Sequence, residues 1–243
     1  MMKKLLIAGG VLVVLLVGAV VFLAHNLDSI VEKAIETIGP DMTGVSVKVS
    51  KVSLSLTDGR GEIKGLAVGS PKGYKASHTV KLGSIVLAID PATVTKDVIV
   101  VRELIIEAPD MTYEKGPGGS NLEVIQRNVD AYVKKNLGGG APKDKSKKGD
   151  ASKETKFIIE KLQIRNGKVN MPAAIAGRDI KAALPPVNLQ NVGKSRGGAT
   201  GAEVASIVVK QMTDGALASA TKALAQEAKG RASEAVKGRI LGR

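Results

Sequence analysis

The sequence predicts an α+β chain: an N-terminal helix that spans a membrane, a curved and mostly antiparallel β-sheet with flanking helices, and a C-terminal helix. Three observations predict it. Residues 5–24 carry no charge. After Pro40 the apolar period changes from that of a helix to that of a strand, with one spacing pattern recurring four times. Two helix-start signatures, at Ser120 and Thr200, then bracket the later strands.

The first segment is dominated by Leu, Val, Ile, Ala and Gly, with Leu5, Leu6, Ile7, Val11, Leu12, Leu15, Leu16, Val20, Phe22 and Leu23 as its large apolar side chains. At the helical rise, such a run covers about 30 Å, the thickness of a bilayer core. A helix can span because it satisfies its own backbone polar groups, which lipid cannot. As a cleaved signal the run is too long, and a cut after Ala24 places bulky Phe22 where a small residue is required. Lys3 and Lys4 precede the run, whereas Asp28 and Glu32 follow it. The positive-inside bias therefore keeps residues 1–4 cytoplasmic and exports the rest, giving a single-pass inner-membrane protein with its bulk in the periplasm of a Gram-negative cell.

Leu27, Ile30, Val31, Ala34, Ile35 and Ile38 continue a helical face, so residues 25–39 read as an amphipathic extension that Gly39-Pro40 ends. Strands follow from about residue 45 to residue 192. Val47, Val49, Val52 and Leu54 are spaced two, three, two. The spacing recurs at Val80, Leu82, Ile85 and Leu87, at Ile99, Val101, Leu104 and Ile106, and at Phe157, Ile159, Leu162 and Ile164. A one-residue slip moves the apolar set to the opposite face unless a bulge or bend absorbs it. The repeated slip thus predicts long, strongly bent strands that line one concave face with these residues. Turns are expected at Asp58-Gly59, Ala108-Pro109-Asp110 and Asn166-Gly167. Residues 98–113 and 156–171 align without a gap, which suggests a duplicated strand-turn-strand unit.

Ser120 with Glu123, and Thr200 with Glu203, form capping boxes. Leu122, Ile125, Val129, Tyr132 and Val133 make the buried stripe of the first helix; Val204, Ile207, Val208 and Met212 make that of the second. Residues 138–156, Gly- and Lys-rich without apolar period, read as a flexible basic insertion. Residues 200–243 form a helical, basic tail.

The chemistry-bearing residues are sparse. Cysteine is absent, which removes disulfides, thiolate metal sites and Cys nucleophiles. His25 and His78 are the two histidines, and no pair has metal-ligand spacing. No nucleophile elbow, zinc-protease helix or phosphate-cradling loop is present. Asp90, Asp97, Glu103, Glu107 and Asp110 sit where strand alternation and turns place solvated groups. The expectation is a protein that is not an enzyme and needs no cofactor or metal. The charge of +13 suits acidic headgroups of a membrane surface, while two Phe, three Tyr and no Trp provide no stacking platform for nucleic acid.

The anchor, the stretch 61–68 (GEIKGLAV), the stretch 82–91 (LGSIVLAIDP) and the unit 101–109 (VRELIIEAP), with Tyr113-Glu114 and Ser120-Asn121-Leu122 at a strand end and helix start, together resemble the AsmA-like family of bacterial envelope proteins. The resemblance covers the chain to about Val192. It implies a taco-like β-groove and a role in outer-membrane assembly or phospholipid homeostasis, with the inner membrane, phospholipid and other envelope proteins as partners. Larger relatives act as lipid conduits. Even about ten strands at about 4.8 Å spacing stack to only about 50 Å, so this chain requires assembly with other proteins or a role other than bridging. The alternative is a scaffold that recruits envelope proteins through its sheet edge and C-terminal helix.

Overall fold

The computed structural model describes residues 26–55, 57–116, 118–137, 155–172 and 177–241, and the fold is α+β. The predicted anchor at 5–24 and residues 138–154 of the predicted insertion lie outside the described residues. Among those described, no helix is long and apolar enough to cross a membrane.

The strands are β1 (Val47–Lys48), β2 (Lys51–Ser55), β3 (Arg60–Lys64), β4 (Ala67–Gly69), β5 (His78–Lys81), β6 (Ser84–Ile89), β7 (Val98–Glu107), β8 (Asp110–Thr112), β9 (Lys115–Gly116), β10 (Gly119–Ser120), β11 (Lys156–Arg165), β12 (Lys168–Met171), β13 (Ile180–Ala183), β14 (Val187–Val192) and β15 (Ala199–Thr200). One sheet has the order β1-β4-β5-β8-β12-β13 and the other β14-β11-β7-β6-β3-β2. Apart from β9 and β10, which pair with each other, each consecutive pair from β1 with β2 to β13 with β14 therefore contributes one strand to each sheet at the same rank. The two sheets are a single array of six long strands folded along a crease. Backbone hydrogen bonds cross that crease: Ser50 N to Lys64 O (3.1 Å), Leu82 N to Leu66 O (2.8 Å), Ala108 N to Arg165 O (2.9 Å) and Leu184 N to Gly167 O (2.9 Å).

The registers stack side chains of one type into rows. Val52, Ile63, Ile85, Ile106, Ile164 and Val187 are successive cross-strand partners, as are Leu54, Gly61, Leu87, Leu104, Leu162 and Leu189. Between them on the opposite face runs Ser53, Glu62, Val86, Ile105, Gln163 and Asn188. Past the crease a third inner row joins Val47, Val68, Val80, Met111, Val169 and Ala182. Strand alternation alone makes these rows. Gly61 keeps its place in one of them because a Cβ there would sit 2.5 Å from Leu54 Cδ2 and 2.6 Å from Leu87 Cδ1. The neighbouring leucines close over it.

Two of the expected turns are corrected. Asp58-Gly59 does reverse the chain between β2 and β3, but Ala108-Pro109-Asp110 and Asn166-Gly167 do not. They are crease points at which one long strand passes from one sheet to the other. Ala108 (φ 49°) and Asn166 (φ 56°) take the left-handed conformation that makes the kink. The duplicated unit is accordingly a creased strand, and its two copies lie side by side. Parallel pairing joins Val98 to Lys156, Glu107 to Arg165 and Asp110 to Lys168, the register of the gapless alignment. Of the four spacing slips, the one at Arg102-Glu103 is a bulge: Ala88 faces Glu103 and Ile89 faces Val101, leaving Arg102 without an opposite residue on β6. Those at Ser50-Lys51 and Gly83-Ser84 fall at the crease, between β1 and β2 and between β5 and β6.

Three helices, α1 (26–43), α2 (Asn121–Leu137) and α3 (Gly201–Leu241), pack on the apolar face. Both capping boxes form, with Ser120 N donating to Glu123 Oε2 at 2.7 Å and Thr200 N to Glu203 Oε2 at 2.8 Å. Helix α1 continues through Gly39-Pro40, contrary to the expected stop. It ends where Gly44, at φ +72°, donates its N–H back to Pro40 O. Gly39 serves a different need: a Cβ there would lie 2.9 Å from Val47 Cβ. Val31 and Ile35 of the apolar stripe pack on Val49, Val52 and Ile63, whereas Ile30 and Ile38 remain exposed.

Helix α1 also closes one sheet edge. Val49 N donates to Glu36 Oε1 (3.1 Å) and Leu54 N to Asp28 Oδ1 (2.8 Å), so two carboxylates accept amides of the edge strand that no strand pairs. The Val49 amide and then Lys48 hold the Glu36 carboxyl below its ordinary value. Its contribution to stability is thus full above the usual carboxylate range and lost as pH falls through its lowered value. Glu36→Gln should lower the urea midpoint at neutral pH, and the deficit should vanish in acid where the wild-type carboxyl is protonated. Ala108→Gly should raise stability by up to about 1 kcal/mol by removing left-handed strain, read as a higher melting temperature.

Candidate functional site

Helix α3 lies across the inner face of the creased sheet. Its start is set by β15, which pairs antiparallel with the first residues of β11 and leaves Thr200 as the cap. Met212, Ala216 and Ala220 then join the main core with Ile106, Met111, Leu162 and Ile164. Beneath the first three turns the packing is incomplete. A cavity of about 280 Å³ lies between α3, α2 and the sheet. Leu66, Val68, Val80, Leu82, Ile85, Leu104, Ile106 and Met111 line it from the sheet, Leu122 and Ile125 from α2. Val204, Ala205, Val208, Val209 and Met212 close it from α3.

Its lining contains no titratable side chain; Thr43 and Thr213 are its only polar side chains. The Thr43 hydroxyl already donates to Gly39 O at 2.8 Å. A water inside such a space lacks the two to four polar partners it requires, so the cavity favours hydrocarbon over water. Filling it would regain the dispersion contacts that the lining atoms lack. The arrangement can bind an apolar chain; it supplies no acid, base or nucleophile.

The predicted groove residues, Ile99 excepted, divide among three places. Leu82, Ile85, Leu104 and Ile106 line the cavity. Leu87, Val101, Phe157, Ile159, Leu162 and Ile164 belong to the main core that α3 covers. Val49, Val52 and Leu54 pack with α1, and Val47 is buried against Gly39. Ile99 is half-buried beside Phe157 and lies outside the three apolar clusters. Val80 was within the repeated spacing, and Val204, Val208 and Met212 within the expected helical face. That the helix would turn back over the sheet had no local signal.

The expected solvated carboxylates have specific partners. Glu103 meets Lys161 (2.9 Å), Glu107 meets Arg165 (2.6 Å) and Asp110 meets Lys168 (3.0 Å), each across the parallel β7–β11 or β8–β12 pair. Hydrogen bonds from Asn166 and then Arg165 lower the Glu107 carboxyl below its usual range. These exposed pairs enforce register more than they add stability. Asp90 caps a short 3-10 turn at Pro91–Thr93 and pairs with Arg102. His78 opens β5, its Nδ1 3.0 Å from Ser77 Oγ; His25 lies outside the described residues.

A larger polar cleft of about 820 Å³ runs beside Tyr74, Lys75, Glu114, Lys115, Glu227 and Arg231. Its acids are already engaged. Glu114 accepts the Lys75 and Ala76 amides, and Glu227 is held between Arg178 and Arg231. These ties fix loops to α3 and α2. Among the described residues no group of three or more acidic or histidine side chains is placed to hold a metal. No protein-family model matches this chain, and no curated protein matches it.

Met212 is 5 % exposed and walls the cavity. Met212→Ala should enlarge it and cost about 2–5 kcal/mol of unfolding free energy, measured by denaturant titration.

Proposed function

We propose that this chain is a short AsmA-like protein of the Gram-negative envelope, held in the inner membrane by residues 5–24, that binds or hands on lipid in its β-groove in support of outer-membrane assembly or phospholipid homeostasis. The observation that carries the reading is the apolar cavity on the inner face, lined by Leu82, Ile85, Leu104 and Ile106 below and by α3 above. Hydrocarbon is the chemistry such a lining favours. The exposed Ile30 and Ile38 support membrane proximity, since they lie on the helix that follows the uncharged run. The charge of +13 favours an anionic surface.

The array of six strands extends over only about 25 Å at ordinary strand spacing, which is short for a conduit. Local binding and hand-over suit that length, with α3 as the part that must shift to admit a chain. A hydrolase reading has no acid–base pair in the cavity to support it.

Lipid extraction and mass spectrometry of the detergent-purified full chain should recover bound phospholipid or acyl lipid. Val208→Trp, which projects bulk into the cavity, should reduce the recovered lipid about tenfold or more while leaving the fold intact by circular dichroism. Equal recovery from wild type and variant would place any lipid outside the cavity, and no lipid from either would end the reading.

A further inference from the structure

The two edges of the creased sheet are finished differently. At β1–β2 the unpaired amides of Val49 and Leu54 are taken by Glu36 and Asp28 of α1. At the other end the sheet stops at β14, and among the described residues no strand pairs with its outer side. Pro185 and Pro186 interrupt this edge only at the crease, and β13 beyond them packs against α3, where Ser219 Oγ donates to Ala183 O. The open length is therefore Val187–Val192.

Before its kink at Asn191, that length lacks the usual protections against pairing. Its sequence VNLQNV carries no charge, no proline and no Lys among its outward residues Asn188 and Gln190. The whole stretch 182–193 is uncharged in a chain that is 24 % charged. Val187 and Leu189 face inward and pack on the main core, which holds residues 187–190 in register with β11; Asn191, at φ 54°, kinks the strand only at its far end. Basic residues stand at both ends: Lys181 before it, Lys194 and Arg196 after it. Lys181 and Lys194 form no ion pair among the described residues, and Arg196 contacts Glu203 at 3.4 Å.

We infer that the β14 edge is a docking strand for an extended segment of a different protein, uncharged over its middle and acidic at its ends, which adds to the sheet as a seventh strand. Main-chain hydrogen bonds supply affinity in this mode, and flanking charge supplies direction. A second copy of this chain fits poorly by either route. Antiparallel pairing of two β14 strands brings Lys181 of each copy toward Lys194 and Arg196 of the other, an arrangement of like charges. Pairing of β14 with the opposite edge of another copy is obstructed by α1, whose carboxylates already occupy the amides there.

The test uses the full chain in detergent micelles and a fluorescent peptide of alternating Thr and Val with paired Glu at each end. Anisotropy should show saturable binding that weakens about tenfold or more when Lys replaces the end Glu residues, or when backbone N-methylation removes the donors on one peptide edge. Gln190→Lys, at an exposed position that leaves the fold unchanged by circular dichroism, should weaken binding similarly. Lys181→Glu with Lys194→Glu should reverse the preference toward the Lys-ended peptide. The proposal is overturned if no peptide binds, if N-methylation has no effect, or if light scattering shows that the unliganded chain dimerises and Gln190→Lys abolishes the dimer. None of these readouts depends on the cavity, so lipid binding and edge docking stand or fall separately.

Discussion

The parallel contact between β7–β8 and β11–β12 organises everything around it. Four of the five contacts between neighbouring long strands are antiparallel, but this one pair runs the same way and so needs a crossover. Helix α2 lies within that crossover. The two strands are copies of one sequence pattern, so every feature in one finds its equivalent directly beside it. Ala108 kinks next to Asn166, Pro109 O accepts from Lys168 N, and the acids Glu103, Glu107 and Asp110 face the bases Lys161, Arg165 and Lys168. A crease at equivalent positions in adjacent strands bends the sheet as a whole without breaking its hydrogen bonds. Had the kinks been one residue out of step, the inner rows of Ile and Leu would have been turned to solvent on one side.

From the crease follows the concavity, and from the concavity the need for a cover. An open apolar face with rows of Leu, Ile and Val cannot be left to water, where each such side chain would forgo about 1.5–3 kcal/mol of burial. Helix α3 provides the cover with small residues, Ala216 and Ala220, where it approaches most closely. Nearer its start the sheet rows and α3 do not interlock fully, and the cavity lined by Leu104, Ile106, Val208 and Met212 remains. The site is thus a by-product of incomplete packing between the bent sheet and α3. The same geometry divides the edges: α1 finishes one, while among the described residues no strand pairs with the outer side of β14.

Much of the fold was legible in the residues because its signals are local. The slip of spacing at Arg102-Glu103 and Glu160-Lys161 predicted bent strands, since a bulge is the simplest way to keep Val101 and Leu104 on one face. The capping boxes at Ser120 and Thr200 were equally plain. Asn166-Gly167 misled because the dipeptide that favours a hairpin turn also favours a left-handed kink within a strand. Gly39-Pro40 misled because Pro40 falls in the last helical turn, Gly44 ends the helix after it, and Gly39 is required for contact with Val47. The candidate lining was half legible: alternation shows which residues share a face, but not which of them a distant helix will cover.

By itself, then, the sequence determined the α+β class, the strand faces, the bulge at Arg102-Glu103, the helix starts and the gapless match between the two copies of the duplicated unit. All depend on periodicity, capping or side-chain size within a few residues. Only the tertiary structure decided that the turns at 108–110 and 166–167 are creases, that α1 closes one edge, and that α3 covers the concave face above a cavity. These depend on contacts between residues far apart in the chain, such as Glu36 with Val49 and Met212 with Ile106, whose pairing is set by the shape of the whole sheet rather than by any local pattern.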